Sequence, residues 1–537
     1  VGTQHTRLNA AFVNMSGALD WERPPRLMNS TSLWYFHTGQ WRYDNMSLDT
    51  QWATGAKKLP SFNHAADMNS LAVRLGWLPF FPQIDKKNPM KLYKEAIDAG
   101  CKNDDEVKEW IMKQFKEKKL NFAINDVDAE ENHLKMVTVY RGNLIGSSMR
   151  GHELALKHWL GTHNNVMWDE EPAKGLVNEI KWHEDSPVGK LDFLVNLNIR
   201  MDSSAMYSDV ILPAAFWYEK HDVTFGDMHT FVIPLTPATE PPWEAKHDWE
   251  AFKLIAKKFT ELAKKHFPKP VKDIVFNATW MDTPGQLAQP LGEIKDWRNG
   301  ETEPIPGKSF PSINIVERDY SKVYDRLVSL GPLVSKPKGY GSKGQYTDLT
   351  PIVEEELKHN EVLDVKNGKV YFEKAEQFCE LILQISPELN GRLSSLFFKE
   401  MEKKVGLPLA DMVEVVKNRK VHYKDIISQP RRIHTTPQWS AILHDKEGKQ
   451  RTFGPWTMNV ERLKPWHTLS GRQEIYYDHQ GIRELGEGLP TNKPPLDMAA
   501  IGDINLDKAG PKTKVFRFIT PHGKWQIHSS FRDHWPM

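Results

Sequence analysis

Three short strings place amide, hydroxyl and carboxylate side chains where the chain leaves an apolar run. In VYRGNLIGSS, Asn143, Gly146, Ser147 and Ser148 follow the run MVTVY, and in LDFLVNLNIRMDSS, Asn198 closes another such run. Small polar residues at the carboxyl end of a parallel strand let backbone N–H groups and side chains approach a phosphate or ribose, and a following helix adds its positive end. The same turn also suits an ordinary strand-to-helix connection with a serine cap. In KHDWEAFKLIAKKF, Asp248 opens an expected helix. Its carboxylate can accept from both edge donors of a guanine, or it can cap the helix and offset its dipole. Near the end of the chain, PHGKWQIHSS offers Lys524 to a phosphate, with His522, His528 and Ser529 as hydrogen-bonding groups. A surface loop would use the same residues.

Other combinations fail on spacing. His152, Glu153 and His158 stand as HELALKH, the histidines six positions apart, so they do not share a helix face as a zinc-binding pair does. Gly307, Lys308 and Ser309 form GKS, but Thr302 stands where a phosphate-binding loop needs glycine. The 21 histidines are scattered without a ligand cluster, and two cysteines, Cys101 and Cys379, are too few for a four-thiolate iron–sulfur centre or a disulfide framework. A formal net charge of +1 gives no bulk attraction to nucleic acid. No apolar run reaches the about 20 residues needed to cross a bilayer, so attachment to a membrane would need a partner.

The elements that must position these groups follow a changing pattern. Residues 1–130 are irregular, rich in Trp, Pro and Asn, with a helix expected near Asp105 to Lys118. From 131 to 270, strands (MVTVY, LDFLVNL, DVILP, FVIPL) alternate with helices, which predicts an α/β fold: a parallel sheet with flanking helices. In the last helix, Trp249, Phe252, Ile255, Phe259 and Leu262 recur at helical spacing and are expected to pack, with the lysines wet. Pro- and Gly-rich sequence over 271–345 reads as a loop-rich linker, 346–440 as a helical region, and 441–537 as an extended region.

The nucleotide-binding strings, in this order, resemble the third domain of molybdopterin oxidoreductases. The flanking strings MNSTSLWYFHTGQWRY, SQPRRIHTTPQWS, PWHTLSGRQEIYYDH and ITPHGKWQIHSSF resemble the catalytic α subunits of respiratory nitrate reductase and nitrite oxidoreductase. The resemblance implies molybdenum on a bis(molybdopterin guanine dinucleotide) and oxygen-atom transfer between nitrate and nitrite. It implies a 4Fe-4S cluster held by sequence outside this segment, with the metal-ligating segment expected before Val1 and the final domain past Met537. It further implies an iron–sulfur β subunit, a haem-containing γ subunit or cytochrome, and membrane association through these partners in a prokaryote. By residue, it implies cofactor contacts at Asn143, Gly146, Ser147, Asn198, Asp248, His522, Lys524, His528 and Ser529, and makes 441–537 the approach to a C-terminal cofactor-binding domain. His37, Gln40, Trp41 and Arg42 either line a substrate approach or pack as an aromatic cluster. Two positions depart from the family: Asn198 replaces an aspartate, and Ala214 lacks a common hydroxyl. Relatives acting on selenate, chlorate, perchlorate or a hydrocarbon, and a non-catalytic nucleotide-binding scaffold, are the alternative readings.

Overall fold

The computed structural model describes residues 73–76, 83–122, 129–145, 159–161, 191–225, 231–277, 296–330, 340–342, 345–410, 421–427, 431–432, 441–444, 450–453, 457–466, 468, 470–476 and 488–491. These fall into two compact units, one drawn chiefly from 212–272 and 316–472, the other from 73–211 and 273–315.

In the second of these units, α1 (Pro89–Asp98) begins on the Asn88 side chain, which accepts from the Met90 amide, with Pro89 in the first turn. The sequence pattern did not announce this helix, because only Leu92 and Ala96 bury. Helix α2 (Asp104–Lys116) matches the expected one within two residues at each end. Asn103 accepts from the amides of Asp105 and Glu106, three acids occupy the first turn and Lys113 and Lys116 the last, all offsetting the helix dipole. Its buried stripe, Val107, Ile111 and Phe115, faces an aromatic core in which Phe115 stacks on Phe122 at 4.6 Å and meets Phe310 edge-on at 5.1 Å. Phe276, Trp297, Phe310 and Ile313, all from the loop-rich 271–345 stretch, complete this core. Two of its ordered pieces are the strands Val271–Asn277 and Ser312–Arg318.

The parallel sheet expected from strand–helix alternation is present. Strand β1 (Met136–Tyr140) runs parallel to β2 (Phe193–Asn198), with Val139 opposite Asn196, and β3 (Val210–Pro213) lies on the other side of β2. In β1, Val139 is buried while Met136 and Tyr140 are exposed, as suits an outer strand; β2, in the middle, buries four consecutive residues.

FVIPL does not join that sheet. Strand β4 (Asp222–Phe225) and β5 (Phe231–Leu235) pair antiparallel, with Asp222 opposite Leu235, and the segment Arg431–Arg432 pairs on the far side of β5. The physical reason lies in the link between them: residues 226–230 are long enough for a hairpin and far too short for the crossover that parallel strands require.

Helix α3 (Asp248–His266) occupies its expected span, yet its packed face differs from the expected stripe. Ala256, Thr260 and Ala263 are buried, while Ile255, Phe259 and Leu262 stay exposed. Small side chains allow close approach by the neighbouring segment, whose Tyr324 amide donates to Thr260 Oγ1 at 2.9 Å. Trp249 does pack, stacked on Phe378 at 4.6 Å with its indole N–H donating to the Glu373 carbonyl. Phe378 belongs to α4 (Ala375–Val405), whose buried run Leu381, Ile382, Leu383 and Ile385 forms the first unit's core with Leu349, Leu357, Leu363 and Phe372. Gly406 ends α4 in the left-handed conformation, its N–H donating to the Glu402 carbonyl.

Candidate functional site

Among the described residues, two polar clusters that include expected site residues stand at the ends of ordered elements, one in each unit. In the unit with the parallel sheet, the cluster forms at the carboxyl ends of β1 and β2. After Tyr140 the chain takes a left-handed residue, Arg141, and turns through Gly142 to Asn143, which is buried. Asn143 bridges to the Ser203–Met206 helical turn. Its Nδ2 donates to Ser203 Oγ at 3.0 Å, and its Oδ1 accepts from the Ser204 amide and from Ser204 Oγ at 2.8 Å. Ser204 Oγ in turn accepts from the Ile145 amide at 2.9 Å.

Asn198 ends β2. Its Oδ1 accepts from the following Ile199 amide, and its Nδ2 donates to Asp202 Oδ2 at 2.7 Å. Asp202 caps the helical turn through the Ala205 amide at 2.9 Å. Burial pushes the Asp202 carboxyl above the usual carboxylate range, with the hydrogen bonds from the Ala205 and Ser204 backbone and from Asn198 pulling the other way. An amide at position 198 is thus what lets Asp202 be satisfied: a carboxylate there would face another carboxylate.

Two residues earlier, on the same face of β2 by strand alternation, Asn196 is fully buried, and neither atom of its amide has a hydrogen-bond partner among the described residues. Buried amides without partners are rare and carry a desolvation cost, so this strand holds polar capacity that protein packing does not use.

The other cluster surrounds the start of α3. Lys220, only 5% exposed, reaches Asp222 Oδ2 at 2.6 Å and Asp248 Oδ2 at 3.1 Å. Asp248 is therefore a buried member of an ion cluster. The capping role open to it falls to His247, whose Nδ1 accepts from the Trp249 amide at 3.1 Å while its Nε2 donates to the His221 carbonyl. That tautomer needs a neutral ring, and burial lowers the His247 pKa against the hydrogen bond to the His221 carbonyl, with Lys220 lowering it further and Asp222 and Asp248 opposing. His221 carries the network outward to Glu376 Oε1 at 2.8 Å and Tyr423 at 3.3 Å.

Of the nine residues expected to contact a cofactor, Asn143 and Asn198 come together in the first cluster and Asp248 lies in the second. Gly146, Ser147, His522, Lys524, His528 and Ser529 lie outside the described residues, as do His37, Gln40, Trp41 and Arg42. Sequence reasoning missed Asp202, Ser203 and Ser204, although an Asp-Ser-Ser string after a strand is a cap signal. It also missed Lys220, a lone cation after three consecutive aromatics in FWYEK, and the capping His247. Among the described residues, no three His, Cys, Asp or Glu side chains converge as metal ligands.

Amides with hydroxyls at the carboxyl ends of parallel strands in one unit, and separately a buried carboxylate with its cation at a helix start in the other, are group types that nucleotide sites use. Comparison with known proteins agrees in class. Residues 99–268 match the molybdopterin oxidoreductase family model, and residues 338–461 match the model for domain V of the nitrate reductase alpha chain. Over those residues the chain is similar to the molybdopterin oxidoreductase class.

Within that class it is homologous to nitrate reductase alpha chains. It is 40% identical to the nitrate reductase alpha chain of Bacillus subtilis over all of this chain and 43% of the relative. It is 38% identical to the respiratory nitrate reductase 1 alpha chain of Escherichia coli over 99% of this chain and 42% of the relative. A more distant relative, the perchlorate reductase subunit alpha of Dechloromonas aromatica, is 26% identical over 64% of this chain. The chain thus spans less than half the length of these nitrate reductase relatives.

Proposed function

We propose that this chain forms part of the catalytic subunit of a molybdenum-dependent oxidoreductase that interconverts nitrate and nitrite by oxygen-atom transfer. The observation that carries the reading is identity of 38–40% to nitrate reductase alpha chains along essentially the whole chain. The cofactor is a molybdenum–molybdopterin group, in its finer form the bis(guanine dinucleotide), which when bound supplies the oxygen-transfer and two-electron chemistry. This chain's residues bind and orient it. Asp248, kept beside Lys220, would accept from a guanine edge, while Asn198, Asn143 and Ser147 would serve a ribose or phosphate. Gly146 would let the backbone approach, and His522, Lys524, His528 and Ser529 would hold pterin or pyrophosphate. No metal ligand or acid–base catalyst is assigned to this chain.

The partners proposed are an iron–sulfur β subunit, carrying electrons to or from a 4Fe-4S cluster held outside this segment, and a haem-containing γ subunit or cytochrome. Membrane association is proposed to run through such partners; among the described residues no helix is long and apolar enough to cross a bilayer. The similarity to a perchlorate reductase subunit makes chlorate or perchlorate the second substrate reading.

In the complete enzyme, Asp248→Asn should release part of the guanine nucleotide, since a hydrogen bond to a charged group contributes about 1.5–3 kcal/mol. Molybdenum and GMP content measures that release, and unchanged content would remove Asp248 from the cofactor site. Reduced-viologen assays with nitrate, chlorate and perchlorate test the substrate, and preference for either chlorine oxyanion over nitrate would displace the nitrate reading.

A further inference from the structure

The segments that leave β1 and β2 side by side are tied by backbone for only one residue past Tyr140. Tyr140 stands opposite Leu197, and the Arg141 amide donates to the Leu197 carbonyl at 2.9 Å. Beyond that rung, among the described residues, side chains join the turn after β1 to the turn after β2. The contact from Asn198 Nδ2 to the Gly142 carbonyl is long, at 3.5 Å. The shorter ties converge on Ser204.

Ser204 is fully buried, and its hydrogens have defined places. The Ile145 amide can only donate, so Ser204 Oγ accepts from it at 2.9 Å and turns its own hydrogen to Asn143 Oδ1 at 2.8 Å. The Ser204 amide donates to the same Oδ1 at 3.2 Å, which fixes the Asn143 amide with its oxygen toward Ser204 and its Nδ2 toward Ser203 Oγ at 3.0 Å. The Ser208 hydroxyl donates to the Ser204 carbonyl at 2.7 Å and steadies the backbone behind it. One hydroxyl from the second turn thus fixes two groups of the first: the Asn143 side chain and the N–H of the residue just before Gly146. The Ser203–Met206 turn is too short for its dipole to hold an anion; what it contributes is this hydroxyl.

Ile145 is held independently through its side chain, which is buried with Trp159 and packed by Leu134, Leu160 and Leu191. Apolar packing therefore keeps this residue in the fold. The Ser204 hydroxyl sets something finer: where the peptide leading into Gly146 and Ser147 lies. A displacement of about 1 Å is enough to spoil a binding group's geometry, and packing of a neighbouring side chain does not restore it.

We propose that Ser204 is a positioning residue for the dinucleotide: acting through the Ile145 N–H and Asn143 Oδ1, it fixes the turn that presents Gly146 and Ser147 to a phosphate or ribose. That role rests on the reading of this turn as part of the cofactor site. The experiment follows loss of the dinucleotide from the complete enzyme, as GMP and molybdenum left on the protein after timed incubation well below its unfolding midpoint. Ser204→Ala should speed the loss about tenfold, because the acceptor for Ile145 and a donor to Asn143 disappear together. Ser204→Thr keeps the hydroxyl and should stay within about twofold of the unchanged enzyme. Val139→Ala, which opens a cavity in β1 without touching the network, should lower the unfolding midpoint and leave the rate of loss as it was. If Ser204→Ala does not assemble, Ser204→Cys carries the same comparison with a smaller acceleration, since a thiol is a weaker donor and acceptor.

Loss as fast from Val139→Ala as from Ser204→Ala would overturn the positioning role, because general loosening of the sheet would then account for the effect. Loss as fast from Ser204→Thr as from Ser204→Ala would overturn it too, since the hydroxyl would not be what matters. The paired change Gly146→Val with Ser147→Ala separates this role from the reading beneath it. If the pair sheds the dinucleotide while Ser204→Ala holds it, Ser204 has no such role and the cofactor reading of the turn stands. If both hold it, the turn is no part of the cofactor site, and reading and role fall together.

Discussion

The cluster at the ends of β1 and β2 and the cluster at the start of α3 are both polar, both partly or wholly buried, and held by different forces. Asn143, Ser203 and Ser204 pair with one another through neutral hydrogen bonds, so each partner's loss leaves one or two polar atoms stranded. Lys220 instead balances two carboxylates, so its loss would strand charge. A neutral network tolerates the removal of one member better than an ionic one, because an unpaired buried charge costs more to desolvate than an unpaired amide.

The sharpest way to break that contrast is Lys220→Met. It should cost about 3–5 kcal/mol in chemical denaturation, because Asp248 remains buried without its cation. A loss under about 1 kcal/mol would mean that the cluster is not ionic in the sense described. Asn143→Ala should cost less, about 1–3 kcal/mol, by stranding the Ser203 and Ser204 groups; a loss equal to that of Lys220→Met would erase the distinction.

Asn198→Asp sharpens the comparison by making the neutral cluster ionic. Its carboxylate would face Asp202, whose pKa burial already raises. Each further tenfold gain in proton affinity costs about 1.4 kcal/mol at pH values where both groups must ionise. The penalty should therefore be small in acid and grow as pH rises through the carboxylate range, to about 1–2 kcal/mol. A penalty independent of pH would show that the two side chains do not face each other.

The smallest effect expected is at His247. Because burial holds its folded pKa below the unfolded value of 6.5, the unfolded chain takes up the proton first as pH falls. Stability from this group is complete above that value and declines below it, until the folded pKa is reached. His247→Gln should flatten the slope between neutral pH and about pH 5 by under about 1 kcal/mol in denaturation midpoints taken across that range. An unchanged slope would place the titrating group elsewhere.

Much of this was legible before any coordinates. Helix α2 was readable because Asn103, the acids after it and the lysines at its end are local signals that need no tertiary partner. The apolar runs of β1 and β2 and the turn residues after them were readable for the same reason, as was the opening of α3 at Asp248. Asn198 was recognisable as a departure, although its reason was not, since Asp202 becomes its partner only when the chain turns back on itself.

What the sequence alone determined was therefore the set of elements whose ends and polar groups lie within a few residues of one another. It also carried the resemblance to nitrate reductase alpha chains, because that rests on the order of many short strings. The tertiary structure decided which face of α3 packs, choosing Ala256, Thr260 and Ala263 because a neighbouring backbone could come close there. It decided that FVIPL forms a hairpin instead of extending the parallel sheet. It gave the cap to His247 and turned Asp248 toward Lys220, 28 residues away. Hydrophobic spacing states which residues can be buried; which of them are depends on shape and charge brought in by distant parts of the chain, and that information is not local.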